Sequence, residues 1–195
     1  YGGVQAPTYD PEGAKAAIEA DGYTFNDATG FYEKDGQPLT ITISTYAKRS
    51  LDTLAILMQE QYKALGIDAQ IKLEDNPDST YMANLDFDIG FYAAITDKAG
   101  EPFTFMNQVM TGQWLDVCGF GNAETDALID ELRFETDETK KAELADEIMT
   151  NLYDSNCYIS LGQYTKSTVI RTGAGGLGET SPLQFYAISK DSYAN

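Results

Sequence analysis

Residues 39–73 carry two hydrophobic periods in a fixed order, and that order leaves few folds open. Leu39, Ile41 and Ile43 alternate with Thr40, Thr42 and Ser44, the period of a strand with one buried face. Leu51, Leu54, Ala55, Met58, Tyr62 and Leu65 then recur at helical spacing. Ser50 stands where an N-cap belongs, and Gly66 where a C-terminal cap belongs. Ile67, Ala69, Ile71 and Leu73 alternate again. Strand, helix and strand joined by such short connections require parallel strands and a right-handed crossover, so the fold class is α/β.

The flanking sequence adds smaller elements. Asp10-Pro11-Glu12 opens a helix whose apolar face is Ala14, Ala17 and Ile18, and Gly22 stops it. Two turn clusters, at residues 26–30 and 34–38, flank Phe31-Tyr32 and predict a small hairpin. Asn76-Pro77-Asp78-Ser79 breaks the chain, and a short helix follows over residues 80–84. Phe87, Ile89, Phe91 and Ala93 read as a buried strand, and Pro102 opens a helix through Met110. Residues 111–122 are irregular. Two helices follow, one with the face Ala127, Leu128 and Leu132, the other, capped by Thr136-Asp137, with Ala142, Ala145, Ile148, Met149 and Leu152. Residues 158–163 and 168–171 read as strands, and the Gly-rich stretch from Thr172 to Asn195 has little periodicity.

The 195 residues suffice for one domain or two small ones with a buried core. Lys plus Arg number 13 against 31 Asp plus Glu, a net charge of −18, which repels phosphate backbones and anionic lipid. Nucleic acid is therefore not an expected partner. The absence of histidine removes the commonest general base and the commonest metal ligand. No stretch approaches the ~20 apolar residues that a spanning helix needs. The chain begins at Tyr1 without a Met, so a processed chain or an excised piece is expected. Cys118 and Cys157 cannot make a zinc site alone; in an exported protein they can pair, and two unrelated thiols are the equal alternative.

Motifs for catalysis are weak. Residues 173–178 match G-x-G-x-x-G, but Ser181-Pro182 follows where a dinucleotide site needs a helix, so a flexible loop is the plainer reading. Asp86 and Asp88 share a strand face and could form an acid–base pair, although surplus acids in so acidic a chain are usually solvated. Glu74, Asp75 and Asp78 lack the spacing of a calcium loop. Tyrosine is in excess at 13 residues. Tyr81, Tyr92 and Trp114 lie near loops, where such side chains either line concave ligand sites or pack as core edges.

Six blocks, in order over residues 9–160, resemble the second lobe of family 5 extracellular solute-binding proteins, the dipeptide, oligopeptide and nickel group that feeds ABC importers. They are Tyr9-Asp10-Pro11-Glu12 with Asp21-Gly22-Tyr23, Asp35-Gly36-Gln37-Pro38-Leu39, Leu65-Gly66-Ile67-Asp68, Asp86-Phe87-Asp88-Ile89, Glu124-Thr125-Asp126-Ala127-Leu128-Ile129, and Thr136-Asp137-Glu138-Thr139 through Leu144. Glu101-Pro102-Phe103-Thr104-Phe105-Met106, the run from Glu147 to Leu161, and Pro182-Leu183-Gln184-Phe185 resemble the nickel-type subfamily most.

The resemblance implies a periplasmic-binding-protein type II lobe: a mixed sheet with a parallel βαβ core flanked by helices, isolated from a two-lobed protein. Residues 1–171 would be the second lobe, and residues 172–195 a tail returning to the N-terminal lobe. The implied activity is not enzymatic. It is capture of a small polar solute, a peptide or a metal chelate, by lobe closure and delivery to an ABC permease, outside the cytoplasm in the periplasm or on a lipoprotein. No cofactor is implied. In the family a Tyr before the D-F-D strand reaches the cleft, and Tyr81 falls there. A Trp and a Tyr on the following loop also line it; here that loop, residues 96–101, offers Thr96 and Asp97 instead. The family's metal-binding His falls near Trp114. Ligands of parallel sheets sit beyond the carboxyl ends of the strands, which adds Tyr46 and Arg49. The alternatives from other classes are a small secreted acidic hydrolase using a carboxylate pair, recognisable by one strongly raised carboxyl pKa, and an extracellular interaction module, recognisable by a large exposed apolar patch.

Overall fold

The computed structural model describes residues 4, 7–96, 101–164, 171–176 and 190–194. The chain divides into two units, Thr8–Ala94, and Tyr1–Pro7 with Ile95–Asn195.

In the Thr8–Ala94 unit, α1 (Pro11–Ala20) starts where Asp10 caps it, its side chain accepting from the Gly13 N–H at 2.9 Å. The hairpin expected around Phe31-Tyr32 is a three-stranded antiparallel meander of β1 (Thr24–Asn26), β2 (Phe31–Lys34) and β3 (Gln37–Pro38). Asp35 and Gly36 both take left-handed φ, at 54° and 75°, as a two-residue hairpin turn requires. Next come β4 (Thr40–Tyr46), α2 (Leu51–Ala64) and β5 (Asp68–Glu74), the parallel βαβ unit read from the sequence. Register runs unbroken from Thr40↔Asp68 to Tyr46↔Glu74. A 3-10 turn (Pro77–Ser79) and α3 (Tyr81–Asn84) lead to β6 (Ile89–Gly90), which pairs parallel with the other edge of β4. The sheet order is β5-β4-β6, so β4 is central, and Ile43 in its middle is fully buried with Leu51, Ala55, Ala69, Tyr81 and Phe91.

Two expectations here are corrected. The strand over residues 87–93 is reduced to Ile89–Gly90. The Asp88 carboxylate accepts the Thr42 N–H at 2.7 Å, so a side chain takes a ladder donor that a longer strand's backbone would have used. Ser50 does not cap α2. Arg49 and Ser50 are left-handed, with φ 58° and 56°, not the extended backbone from which a Ser hydroxyl reaches the first turn, and Ser50 makes no side-chain cap bond.

In the other unit, α4 (Phe103–Met106) is a single turn, shorter than the helix expected through Met110; it gives way to the irregular stretch that the glycines announced. Asn122 caps α5 (Ala123–Phe134) through the Glu124 and Thr125 N–H groups, and Asp137 caps α6 (Glu138–Asp154) through those of Thr139 and Lys140. The buried face of α5 is Thr125, Ile129 and Leu132, rotated from the expected stripe, and Ala127 is exposed. That of α6 is Leu144, Ala145, Ile148 and Leu152. Residues 158–163 are not a strand, and 159–163 are exposed. Ala174–Gly175 (β7) pairs antiparallel with Tyr193–Ala194 (β8), so two residues of the Gly-rich motif are a strand where a loop was expected. Residues 168–170 of the expected last strand, Leu177, Gly178 and most of the tail lie outside the described residues. Among the described residues no helix is long and apolar enough to cross a membrane.

The turn between α5 and α6 makes a testable electrostatic clamp. Glu135 accepts the N–H groups of Thr136 and Asp137 at 2.7 and 2.8 Å, and the Lys140 ammonium lies 3.1 Å from it. The Asp137 N–H bond, then Lys140 and the Thr136 N–H, hold its carboxyl down at about 2. A folded-state value below the unfolded one gives stability that is present above the unfolded pKa, about 4.3, and lost as pH falls through the folded value. Glu135→Gln should therefore melt below the wild type at neutral pH, with the gap closing as pH drops from about 5 to about 2. A gap that stays constant across that range in pH-dependent melting would dismiss the clamp.

Candidate functional site

The carboxyl end of β4 gathers several of the polar and aromatic residues singled out in the sequence. β4 ends on Tyr46, and the connection to α2 turns sharply at Arg49 and Ser50. That turn brings the Arg49 guanidinium back onto the Tyr46 hydroxyl, Nη1 donating to Oη at 3.3 Å. Tyr92, just past β6, packs its ring against Tyr46 with centroids 6.3 Å apart and planes tilted by 48°. The Tyr92 hydroxyl donates to Asp78 Oδ1 at 2.7 Å. Asp78 is placed there by the 3-10 turn after β5, which Asn76 caps by accepting the Asp78 N–H. The three parallel strands thus each deliver a side chain to one end of the sheet: Tyr46 and Arg49 after β4, Asp78 after β5, Tyr92 after β6.

The electrostatics follow from burial. Tyr92 is pushed up to about 12, first by burial and then by the hydrogen bond to Asp78, so its hydroxyl stays a donor at any physiological pH. Arg49 and Asp78 are exposed, Tyr92 is half-buried and Tyr46 is buried. The end of the sheet therefore presents a cation and a carboxylate on an aromatic floor. The Ser44 and Thr45 hydroxyls below it are buried and have no hydrogen-bond partner among the described residues.

Tyr81 takes a different position from its sequence-based expectation at a loop edge. It is 1% exposed, it packs edge-on against Phe87 at 5.8 Å, and its hydroxyl donates to the Phe91 carbonyl. Burial, ahead of the nearby Tyr46, raises its pKa. Tyr81 thus braces the segment that carries Tyr92 from within the core. Thr96 and Trp114 belong to the Ile95–Asn195 unit; both are exposed, Trp114 at 49%. Asp97 lies outside the described residues. Asp78 was the residue that sequence reasoning missed as a site partner. Its signal was available in the turn Asn76-Pro77-Asp78-Ser79 that closes a parallel strand at its carboxyl end.

The candidate carboxylate pair is divided. Asp86 forms an ion pair with Lys72 at 3.0 Å, and Asp88 takes the Thr42 N–H. Cys118 and Cys157, left open by the sequence, are joined in a disulfide. Among the described residues no group of three His, Cys, Asp or Glu could hold a metal ion.

Comparison with known proteins converges on one family. The family model described as bacterial extracellular solute-binding proteins, family 5 Middle, matches residues 1–115. The chain is 26% identical over 181 residues to the nickel-binding periplasmic protein of Escherichia coli (strain K12), covering 90% of this chain and 34% of that protein. The crystal structure of a nickel ABC transporter protein from Bacillus halodurans is 26% identical, with a TM-score of 0.60 over 78% of this chain and 32% of its own. NikA from Staphylococcus aureus, solved in complex with Ni(L-His)2, superposes with a TM-score of 0.65 at 22% identity, over 79% of this chain and 32% of its own. The chain spans about a third of the length of these relatives.

Proposed function

Since the chain belongs to the bacterial extracellular solute-binding proteins of family 5, we propose that it is the solute-capturing lobe of an ABC-importer receptor for a chelated metal or a peptide. The observation that carries the reading is the convergence of Tyr46, Arg49, Asp78 and Tyr92 at the carboxyl end of the parallel sheet. That end of an open parallel sheet is where ligands of α/β folds bind. An aromatic floor with one cation and one carboxylate suits a small solute with both charges, as a peptide or an amino-acid chelate has.

The nickel-binding relatives favour the chelate. This chain has no histidine, and its two cysteines are spent on each other, so the metal would arrive with its own ligands and be held through them. Residues 1–171 serve as the second lobe in this reading, with 172–195 returning to the first. The solute is held, not transformed: Asp86 and Asp88 are each engaged elsewhere. Tyr81 supports this end of the sheet from beneath, and an ABC permease receives the closed form.

Titration calorimetry on the full-length protein tests this, with nickel plus L-histidine and a nonapeptide as probes. Arg49→Ala and Tyr92→Ala should each weaken binding of the accepted probe about 10-fold, the order of one lost charged or aromatic contact. Unchanged affinity in both variants would remove this end of the sheet from the cleft.

A further inference from the structure

We propose that the open end of the α5–α6 hairpin, within the Ile95–Asn195 unit, is a binding site for a small organic ion with two ammonium groups. It is separate from the end of the parallel sheet and does not depend on the reading given to that end.

The two helices are joined by residues 135–137 alone, so the chain doubles back and the start of α5 meets the end of α6. The Cys118–Cys157 bridge, with Cα atoms 5.9 Å apart, ties the segment before α5 to the chain just past α6. A cavity of about 500 Å³ lies at this end. Glu124 and Thr125 of α5 and Asn151 and Asp154 of α6 give it polar walls, and Phe120 and the disulfide give it an apolar one.

The charges of the hairpin are sorted by end. Its basic residues, Arg133, Lys140 and Lys141, all stand at the turn. There Lys140 pairs with Glu131 and Glu135, and Lys141 with Glu101 and Glu138. At the open end Asp126 is engaged by the Thr111 N–H, and Asp116 by those of Gly112 and Gly121. The Glu124 and Asp154 carboxylates are exposed and have no hydrogen-bond or ion-pair partner among the described residues. Asp154 also ends α6, whose last turn has no basic residue although the negative end of a helix dipole favours a cation.

Two free acids alone would mark only a solvated surface. Thr125 makes this end a site. It lines the cavity while only 2% exposed, and its hydroxyl has no hydrogen-bond partner among the described residues. A helical Thr can turn its hydroxyl onto the carbonyl four residues earlier, as Thr150 does onto Asp146 at 2.7 Å. For Thr125 that residue is Gly121, which precedes the helix, and Asn122 takes only the Thr125 N–H. So buried a hydroxyl costs free energy until a partner reaches it, and the cavity is the side from which one can come.

An ammonium group is such a partner. It carries three N–H donors and no acceptor, which suits a lining of two carboxylates, a hydroxyl and the Asn151 amide oxygen. Asn151 and Asp154 are three apart on α6 and share a face. The two carboxylates come from different helices, which favours two ammonium groups joined by a methylene chain, with the chain resting on Phe120 and the bridge. Calcium fits less well, since it takes about 6–8 oxygens and no group of three His, Cys, Asp or Glu among the described residues could hold a metal ion.

Titration calorimetry on the full-length protein at low salt, with 1,4-diaminobutane, 1-aminobutane and calcium chloride as probes, tests the site. Diaminobutane should bind once per chain, about 10-fold tighter than aminobutane. Glu124→Gln and Asp154→Asn should each weaken it about 10-fold, and Thr125→Val, which keeps the side-chain shape, about 3-fold. Glu143→Gln with Glu147→Gln removes two exposed acids of α6 outside the cavity and should change the affinity less than about 2-fold. No binding of diaminobutane to the wild type would overturn the proposal. So would equal losses in that control and in Glu124→Gln with Asp154→Asn, which would reduce the binding to general attraction by an acidic surface. Equal affinity for the two amines, or tighter binding of calcium at the same residues, would overturn it as well. Asp78→Asn separates this site from the end of the sheet. If that change abolishes diaminobutane binding while the Glu124 and Asp154 variants keep it, the cation belongs to the sheet end and the hairpin site fails.

Discussion

Ile43→Ala is expected to cost the Thr8–Ala94 unit about 2–5 kcal/mol, against less than about 0.5 kcal/mol for Ile56→Ala. The two residues are the same type and differ in where the βαβ unit puts them. Ile43 is 0% exposed at the centre of β4, and Ile56 on α2 is 54% exposed. Ile43 is in register with Ile71 on one side and Ile89 on the other, so both neighbours in the sheet are fixed by backbone ladders. Leu51 and Ala55 of α2 belong to the same buried cluster. A side chain enclosed by a strand on each edge and a helix leaves a cavity that its surroundings cannot collapse into, and the cavity adds to the lost transfer energy. Urea titration followed by circular dichroism measures both variants. Equal losses would mean that β4 is not the central strand.

The parts of this structure that were legible in the sequence are those where one element's pattern is enough. From Leu39 to Leu73 the switch from period 2 to 3.6 and back marks three elements, and β4, α2 and β5 follow it, although Leu54 and Leu73 of the expected stripes are exposed and the carboxyl end of β4 is buried on both faces. Caps with a free choice of backbone were legible too, as Asp10 and Asp137 show. What was not legible depends on partners. Residues 158–163 have the alternation of a strand, but a strand exists only as a pair, and no neighbouring strand meets them among the described residues. Ser50 has the right side chain for a cap in the wrong backbone conformation, because the turn that carries Arg49 onto Tyr46 takes φ positive at both residues.

The same division runs through the candidate site. Tyr46 and Arg49 could be placed at a strand's carboxyl end from the alternation alone, and Tyr92 only near a loop. That Tyr92 bonds Asp78, 14 residues away, and that Tyr81 faces inward onto the Phe91 carbonyl are consequences of packing. Nothing in the local sequence distinguishes an inward Tyr from an outward one. The pairing of Cys118 with Cys157 is of the same kind, since it requires α6 to return its far end to the irregular segment.

Gly66→Ala should destabilise the Thr8–Ala94 unit by about 2–3 kcal/mol, roughly twice the effect of Gly30→Ala. Both glycines are left-handed, with φ 88° and 76°, so each substitution carries the same backbone penalty of about 1–2 kcal/mol for a side chain in that region. The difference lies in what a methyl group meets. At Gly30 nothing lies within 4 Å of a built Cβ. At Gly66 it would lie 2.8 Å from Phe25 Cε2 and 3.1 Å from Tyr32 Cδ2. Phe25 is 45% exposed and can swing outward, but only by abandoning its edge-on contact with Tyr32, whose ring is 5.3 Å away and buried. The Gly66 carbonyl also accepts the Tyr32 N–H at 2.7 Å, so the backbone cannot retreat without breaking the bond that ties the meander to the α2–β5 junction. Gly66 is thus one point, beside the Leu39 N–H bond to the Tyr32 carbonyl, where the three-stranded meander and the βαβ unit are joined, and close approach, beyond left-handed geometry, is what requires glycine there. Parallel urea titrations of the two variants separate the causes. If Gly66→Ala costs no more than Gly30→Ala, the rings do not press on that junction, and the meander is held to the parallel sheet by some other contact.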